Sequence, residues 1–518
     1  MIKLLLEKTL AFQILYLSCL WPFIHVANEN FDKLTSGYLD KLLIYPHILF
    51  ACTLWLVLMY RAVFRVSIAP VVLFMAAFIT MFFLNWSLEK LMPFGAYALF
   101  SGVVIFILTG LGRYKSAVSV IAVMAWAFLI YPSIEVSQKI IHTLDGQKQV
   151  GSVQVVDAQT PKITPNVYYI MADGFPRQDV SGYFWKIDYQ PMFDRLYEEG
   201  YRILKQAHSN YPVTHLSIAS TLAMDYLSTE DEKSFAPNYY PLFSEIAGGN
   251  NATVKQFKKF GYRSIHMGAQ VYTITECGGA EDLCLNYGRG SFLKELDVVL
   301  LKMTPLRHIE EDVIIKLGGA RVTTLPLFEQ RLEERKAEIK PPYFAFIHTI
   351  PPHAPYMYTP DCRVRSLKGM TDAIETTMES DYKDGVSCVL KQFVTMAEYI
   401  EKTDPNAIVI FQSDHGSHFN VDFYQDPKIW SNKALFERYS VFSAIKAPKQ
   451  CQNELRQDLS NVNTMRFVLA CIAGHSPHYL KDRYFGTSYV PNTPGYGRIV
   501  EFKEIPATLT VNQGKSDD

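Results

Sequence analysis

The sequence predicts two structural classes in one chain: a bundle of five transmembrane helices, followed by an α/β domain built on a mainly parallel sheet. Three observations support this prediction. The first 132 residues contain five long apolar runs, and the remainder alternates short apolar runs with helical stretches. Charge is divided in the same way. Residues 1–132 hold nine of the 50 Lys and Arg and five of the 51 Asp and Glu, which is a net positive charge. The rest of the chain holds 41 Lys and Arg and 46 Asp and Glu, which is a net negative charge.

Each apolar run fits the roughly 20 residues that a helix needs to cross a bilayer. The five runs cover approximately residues 9–26, 42–60, 68–86, 94–111 and 117–132. Arg61 and Arg65 lie between the second and third runs, and Arg113 and Lys115 lie between the fourth and fifth. Because cytoplasmic loops are enriched in Lys and Arg, the N-terminus is expected in the cytoplasm and the chain after Pro132 outside it.

The first run has a second interpretation as a cleaved secretory signal, because Lys3 and Lys8 precede an apolar stretch that ends at Ala27. Cleavage would leave the sidedness of the large domain unchanged. The five spans are either an anchor alone or also a site for a lipid, and five helices exceed what anchoring requires.

The chain is divided into three parts. Residues 1–133 form the transmembrane domain, residues 134–165 a polar linker interrupted by Gly and Pro, and residues 166–518 the outer domain. The net charge of −1 and the absence of a basic stripe argue against nucleic acid as a partner.

The outer domain contains five short runs rich in β-branched and aromatic residues. They are Val167–Met171, Tyr262–His266, Tyr343–Ile347, Ala407–Phe411 and Ser440–Ile445. Their apolar residues are continuous rather than alternating, which is typical of strands buried on both faces of a parallel sheet. Ligands of such sheets bind at the carboxyl ends of the strands.

Six cysteines fall in the outer domain: Cys277, Cys284, Cys362, Cys388, Cys451 and Cys471. Sequence alone allows fifteen pairings. An oxidising compartment favours disulfides, and pairing neighbours in sequence is the preferred interpretation: 277 with 284, 362 with 388, and 451 with 471. A cysteine-rich zinc site is the alternative, but no Cys-x-x-Cys spacing supports it.

Acids and imidazoles follow three of the predicted strands. Asp173 follows the first, and His348 and then His353 follow the run at Tyr343–Ile347. Asp414-His415-Gly416-Ser417-His418 follows the run at Ala407–Phe411. Carboxylate oxygens combined with imidazole suit zinc or manganese better than calcium. His348 is interpreted as a structural residue at its strand end rather than as a ligand.

A nucleophile is predicted in the segment that begins at Pro212, where hydroxyl residues precede an apolar run and a helix should start. A Thr214 hydroxyl there would meet the positive end of the helix dipole and free backbone N–H groups. The competing interpretation is that Thr214 or Ser217 merely caps the helix.

In order and spacing these motifs resemble the alkaline phosphatase and sulfatase superfamily, particularly its five-span membrane branch of lipoteichoic acid synthases and lipid A phosphoethanolamine transferases. The resemblance covers essentially the whole chain. It implies an extracytoplasmic, alkaline-phosphatase-like α/β/α sandwich attached to a multi-pass protein of the inner (cytoplasmic) membrane.

The resemblance also implies residue roles. Asp173, Thr214, Asp414 and His415 would hold one divalent metal, zinc or manganese, with a second ion possible. Thr214 would be the nucleophile and form a covalent phospho-enzyme intermediate. The candidates for binding phosphoryl oxygens or protonating the leaving group are His353 and His418, with His266 on the substrate side.

Two departures from the family pattern qualify this assignment. The membrane branch often has Glu at the first metal position, where this chain has Asp173. The sulfatase signature Cys-x-Pro-Ser-Arg is replaced by Thr214-His215-Leu216-Ser217-Ile218. With no Cys or Ser at its first position to become formylglycine, a true sulfatase is not expected.

The function implied is transfer of a phosphoethanolamine or phosphoglycerol head group from a phospholipid donor to an envelope acceptor: a glycan, lipopolysaccharide or a glycolipid. One alternative is a membrane-bound hydrolase in which water is the acceptor. The other is a catalytically silent regulatory protein, which the intact Asp173, Thr214, Asp414 and His415 argue against.

Overall fold

The computed structural model describes residues 2–30, 36–88, 91–146, 160–227, 246, 249–268, 275, 277–286, 295–306, 325–354, 356, 358–363, 375–488, 490, 493–494 and 499–509. The chain separates into two compact units. One comprises residues 1–149 and 291–319, and the other residues 150–290 and 320–518.

The first unit contains the five predicted membrane helices. They are α1 (Ile2–Asn30), α2 (Ser36–Phe64), α3 (Ile68–Leu88), α4 (Phe94–Leu111) and α5 (Lys115–Gly146). All five are long and apolar enough to cross a membrane. α1 packs against α2, α3 and α5, whereas α4 packs mainly on α3 and leaves most of its apolar side chains exposed. Apolar exposure of this kind is typical of a helix that faces lipid.

α5 extends beyond its predicted span. Residues 134–146, assigned to the linker from their polarity, continue the helix. Asn28 of α1 donates a hydrogen bond to Glu135 Oε2 at 2.7 Å, and Lys139 Nζ donates to the Asn28 backbone oxygen at 2.6 Å. These polar contacts stabilise the last turns of α5, which the sequence pattern assigned to the linker. Residues 147–159 of the predicted linker lie outside the described residues.

The second unit is an α/β/α sandwich. Its seven-stranded sheet has the order β2-β7-β6-β1-β5-β3-β4. The strands are β1 (Val167–Ala172), β2 (Arg202–Ile203), β3 (Arg263–Met267), β4 (Leu283–Cys284), β5 (Tyr343–Thr349), β6 (Ile408–Ser413) and β7 (Ser443–Lys446). A separate hairpin pairs β8 (Tyr484–Gly486) with β9 (Val500–Phe502).

Both faces of the sheet are covered, as the continuous apolar runs predicted. In β1, Tyr169 and Met171 pack into one apolar cluster, and Tyr168 and Ile170 pack into the other. Helices of the first cluster are α8 (Thr214–Ala223), α9 (Ala252–Lys259) and α14 (Asn461–Ala473). Those of the second are α6 (Gln178–Trp185), α7 (Gln190–Glu198), α11 (Leu325–Glu334) and α12 (Glu375–Thr403). The helix α13 (Asn432–Tyr439) contributes to both clusters.

The sheet is parallel at its centre, where β1 pairs with β5 and β6. β7 is the exception, because it runs antiparallel to both β6 and β2. The strand predicted at Ser440–Ile445 is therefore present at Ser443–Lys446, with the opposite direction. The three predicted disulfides, 277–284, 362–388 and 451–471, are confirmed.

Candidate active site

The central strands bring their terminal acids to one edge of the sheet. Asp173 directly follows β1, and Asp414 directly follows β6, its neighbour. On the other side of β1, the penultimate residue of β5 is His348, which pairs in register with Met171. All three side chains are fully buried. Their ligand atoms lie within 4.8 Å of one another, close enough to hold a metal ion.

Thr214 is the first residue of α8 and does not cap it. The N-cap position is Val213, which offers no side-chain hydrogen bond. The Thr214 Oγ1 atom lies 3.0 Å from His415 Nε2 and 3.5 Å from each carboxylate oxygen of Asp173. The capping interpretation is therefore wrong for Thr214. Its hydroxyl points to the acid cluster from the positive end of a helix.

Ser217, the other proposed cap, supports the acid loop instead. Its Oγ donates a 2.6 Å hydrogen bond to the backbone oxygen of Asp414. Asn461, at the start of α14, donates through Nδ2 to the same oxygen and to that of Ser413, each at 3.0 Å. The backbone around Asp414 is thus held from two helices.

The two oxygens of the Asp414 carboxylate have different surroundings. Oδ1 accepts hydrogen bonds from the backbone N–H of Gly174 at 3.0 Å and of His415 at 2.8 Å. Oδ2 accepts no hydrogen bond among the described residues, although His415 Nε2 lies 3.2 Å away. A buried carboxylate oxygen in this position is costly unless a cation or a proton satisfies it.

Electrostatics at the site favour a bound cation. Burial raises the pKa of Asp173 to about 7, against the lowering effects of the Arg438 charge and the Thr214 hydrogen bond. Burial and the charge of Asp173 likewise raise the pKa of Asp414 to about 7. Burial also lowers the pKa of His415 well below its usual value, so its imidazole is neutral. A bound cation would offset the cost of burying these two carboxylates in their ionised form, and neutral imidazole is the form that binds zinc or manganese.

Two positions at this edge favour glycine, one for its backbone conformation and one for a close approach. Gly174 has φ +68°, a conformation that favours glycine. A Cβ on Gly174 would lie 3.7 Å from His415 and 3.9 Å from His353, so this turn lies between the two imidazoles. A Cβ on Gly416 would lie 2.0 Å from the backbone oxygen of Glu437, which only glycine avoids.

His353 and His418 lie beside the acid cluster and are half-buried. Their ring centroids are 6.1 Å apart. Burial, together with the charges of Arg438 and His353, lowers the pKa of His418 to about 3. Burial also lowers the pKa of His353. Both rings are therefore neutral near pH 7 and can accept a proton or donate one N–H hydrogen bond each.

His266 is not brought to the acid cluster. Its Nε2 lies 2.9 Å from the backbone oxygen of Thr275, and its ring packs on Phe346. The Thr275 hydroxyl in turn lies 3.2 Å from His348 Nδ1. Thr275 thus lies between His266 and His348, and the substrate role of His266 remains a prediction.

His348, interpreted from the sequence as a structural residue, lies beside the acid cluster. His348 Nε2 lies 3.9 Å from Asp173 Oδ2, and the residue groups with Asp173 and Asp414 as a possible ligand set. Burial, then the neighbouring His353 and His266, lowers its pKa to about 3. Its position at the end of a predicted strand could have indicated this, because Asp173 and Asp414 also lie at strand ends.

Two adjacent residues at the end of α13 support the His418 loop. The fully buried Glu437 accepts hydrogen bonds from Ser417 Oγ, the backbone N–H groups of Phe419 and Asn420, and Asn420 Nδ2, at 2.6–2.8 Å. Arg438 donates to the backbone oxygens of Gly416 at 2.8 Å and Pro212 at 2.6 Å. Arg438 therefore links the nucleophile segment to the His418 loop.

A second group of potential ligands is excluded as a metal site. Cys277 and Cys284 lie near Glu281, but their sulfurs are joined in a disulfide and cannot act as thiolate ligands. Among the described residues, the acid and imidazole cluster at the sheet edge is the remaining candidate.

Fold and site together define an α/β/α domain in which a threonine hydroxyl lies beside a carboxylate and imidazole set suited to a divalent cation. A sequence model of the sulfatase family matches residues 165–438, which is more than half of the chain. The chain belongs to the sulfatase family. No curated protein matches it.

Solved structures similar to the chain come from several bacteria. The C-terminal periplasmic domain of EcEptC from Escherichia coli is 13% identical, with 68% of this chain and 95% of that one covered and a TM-score of 0.40. The integral membrane lipooligosaccharide phosphoethanolamine transferase A from Neisseria meningitidis is 13% identical, with 90% and 95% covered and a TM-score of 0.40. A putative sulfatase from Bacteroides fragilis is 15% identical, with 64% and 83% covered and a TM-score of 0.36.

Proposed function

We propose that this chain is a membrane-bound, metal-dependent transferase that moves a phospho-head-group from a phospholipid to a cell-envelope acceptor through a covalent adduct on Thr214. The supporting observation is the position of the Thr214 hydroxyl, 3.0 Å from His415 Nε2 and 3.5 Å from both oxygens of Asp173, at the N-terminus of a buried helix. A sulfatase-family domain that follows five apolar helices is suited to a lipid substrate.

The residues at the sheet edge fit a divalent cation. Asp173, Asp414 and His415 would hold it with Thr214, and His348 is a further candidate ligand. When bound, a zinc or manganese ion supplies Lewis acidity, which favours the ionised threonine hydroxyl and neutralises phosphoryl charge.

In the first half-reaction, Thr214 Oγ attacks the phosphorus of the lipid phosphodiester. The bond from phosphorus to the diacylglycerol oxygen breaks as the bond to Thr214 forms. The proton that Thr214 loses is carried to the departing diacylglycerol oxygen by His353 or His418, which are neutral and half-buried beside the site. In the second half-reaction, an acceptor hydroxyl attacks the phosphorus of the adduct, the bond from phosphorus to Thr214 Oγ breaks, and the proton of the acceptor hydroxyl passes to Thr214.

The five apolar helices support a location in the inner membrane. The positions of Arg61, Arg65, Arg113 and Lys115 favour an N-terminus in the cytoplasm and a catalytic domain outside it. A site on the outer side of the membrane would meet donor lipid at a raised local concentration. The acceptor would be a glycan, lipopolysaccharide or a glycolipid.

The test uses detergent-purified protein with phosphatidylethanolamine and phosphatidylglycerol that carry distinguishable head-group labels. Wild type is expected to form diacylglycerol from one donor, with label retained on protein or acceptor. Thr214→Ala should form none, and Thr403→Ala, which alters an exposed threonine of α12, should behave as wild type. Label released only into water would favour the hydrolase, and no diacylglycerol with zinc and manganese present would overturn the proposal.

A further inference from the structure

One helix belongs to the membrane unit although its sequence lies within the catalytic domain. Residues 291–319 group with the five apolar helices, whereas the chain before and after them forms the α/β/α unit. Within this segment the structure describes residues 295–306, which begin with the helix α10 (Glu295–Lys302). Neither hydropathy nor length marks this segment as a membrane element.

The apolar side of α10 is buried against the bundle. Leu296 and Met303 are 3% and 5% exposed. They share one apolar cluster with residues of three membrane helices: Leu17, Trp21, Phe23, Val26 and Ala27 of α1, Leu42 of α2 and Leu129 of α5. This burial is that of a packed helix rather than of a surface loop.

Polar contacts fix the register of α10 on α2. Asp297 Oδ2 forms an ion pair with Lys41 Nζ at 3.1 Å, and Asp297 Oδ1 accepts a hydrogen bond from the Tyr45 hydroxyl at 3.2 Å. The Lys41 and Asp297 side chains are 23% and 15% exposed, so the pair is shielded from much of the solvent. A shielded pair is screened by salt less than a surface pair is.

All of these contacts lie at one end of the bundle. They involve the second half of α1, the first turns of α2 and the middle of α5, and Trp86 near the end of α3 donates its backbone N–H to the backbone oxygen of Met303. The positive charges at Arg61, Arg65, Arg113 and Lys115 lie at the opposite helix ends. α10 therefore covers the end that the charge pattern assigns to the outside.

In the chain, α10 closely follows elements that reach the candidate active site. β3 and β4 are paired, and the loop between them is closed by the disulfide of Cys277 and Cys284. Thr275 of that loop contacts both His266 and His348. Residues 285–294 then lead from β4 to α10.

We propose that α10 is a docking helix: a segment that leaves the catalytic-domain sequence, packs on the outer end of the bundle and is required when the donor is a membrane-held lipid. The Lys41 and Asp297 pair is its positioning contact. This inference rests on the proposed function, and it predicts a selective effect: loss of the pair should impair the use of a lipid but not of a small soluble phosphodiester.

The experiment reverses the charges singly and together, with Lys41→Asp, Asp297→Lys and the double variant. Substrates are the preferred phospholipid in vesicles and soluble bis(4-nitrophenyl) phosphate. Each single reversal is expected to lower kcat/KM for the lipid about ten-fold, mainly through a higher KM. The rate with the soluble diester should not change. The double variant should recover the wild-type kcat/KM for the lipid. Equal losses on both substrates, or no loss on the lipid, would overturn the inference.

A cross-link separates this inference from the proposed function. In native membranes, Lys41→Cys with Asp297→Cys, in a chain whose Cys19 and Cys52 are changed to serine, should be joined by a short bis-maleimide and identified as linked peptides. Absence of the cross-link would disprove the docking of α10. If the cross-link forms in the double-cysteine variant but the wild-type protein uses the soluble diester and no lipid, the docking of α10 stands and the lipid-donor function is refuted.

Discussion

Thr214 Oγ1 and His415 Nε2 lie 3.0 Å apart, although 201 residues separate them in the chain. They meet because α8 begins at Thr214 while β6 ends just before Asp414 and His415. The same two segments are also joined by the hydrogen bond from Ser217 Oγ to the backbone oxygen of Asp414. This second contact helps to hold the Thr214 hydroxyl beside the His415 imidazole.

Replacing the threonine hydroxyl tests the nucleophile directly. Thr214→Ala should lower turnover by a factor on the order of 10³ or more, because the covalent route is lost while binding groups remain. Thr214→Ser keeps a hydroxyl and should lose no more than about 10²-fold. Diacylglycerol release measures both. Equal activities of the Ala variant and the wild type would contradict the assignment.

Asn461 is expected to affect metal binding without touching the metal. Its Nδ2 supports the backbone oxygens of Ser413 and Asp414, each at 3.0 Å. Asn461→Ala should lower metal affinity on the order of 10–100-fold, as removal of supporting hydrogen bonds does at other metal sites. The affinity is measured by equilibration with buffered zinc or manganese.

The matched control for this variant is Asn463→Ala. Asn463 is equally buried on α14, but its Nδ2 donates to the backbone oxygen of Leu480 and to Ser460 Oγ, each at 3.0 Å. Both variants should lower thermal stability, whereas only Asn461→Ala should weaken metal binding. Equal metal affinities in the two would show that Asn461 does not support the site.

Glu437→Gln should displace the His418 loop. The Glu437 carboxylate accepts from four donors of residues 417–420, and an amide NH₂ in its place would face a donor. We expect a loss of about 1–3 kcal/mol in the free energy of unfolding, since a buried donor is left unsatisfied. Denaturant unfolding measures this loss, and the exposed Glu398→Gln serves as the control.

The same variant should also lower kcat more than it raises KM if His418 carries a proton during the reaction. Steady-state kinetics on the soluble diester separate the two constants. A Glu437→Gln protein with wild-type stability and wild-type kcat would show that the loop does not depend on this carboxylate.

Removal of divalent metal should abolish turnover and lower the melting temperature together. A bound ion at 100 times its Kd contributes about 2.7 kcal/mol to the free energy of unfolding. Chelator-treated protein, then titrated separately with zinc and manganese, is followed by activity and by calorimetry. Full activity after exhaustive chelation would contradict a metal site at Asp173 and Asp414.

The sequence predicted the central strands and their terminal acids because each strand is buried on both faces and forms a continuous apolar run. It did not predict β2 and β4, which have two residues each and are too short to produce a pattern. The antiparallel direction of β7 was also missed. Strand direction depends on the path of the connecting chain, which apolar pattern alone does not reveal.

The sequence predicted those site residues that directly follow a strand or begin a helix. Asp173 and Asp414 lie together because their strands are neighbours, and Thr214 joins them because a helix starts where Pro212 precedes hydroxyl residues. Glu437, Arg438 and Asn461 had no such signal, since their roles depend on contacts with backbone groups distant in the chain. His266 was expected on the substrate side from the family resemblance; its Nε2 lies 2.9 Å from the backbone oxygen of Thr275, and its role stays a prediction.

The most direct test of covalent transfer is the mass of the protein after brief incubation with lipid donor and metal but no acceptor, followed by acid quenching. Covalent transfer through Thr214 requires a mass increase equal to the phospho-head-group of the donor, located by fragmentation on Thr214, and no increase in Thr214→Ala. Formation of diacylglycerol at the wild-type rate by Thr214→Ala, or an adduct on another residue, would contradict nucleophilic catalysis by Thr214.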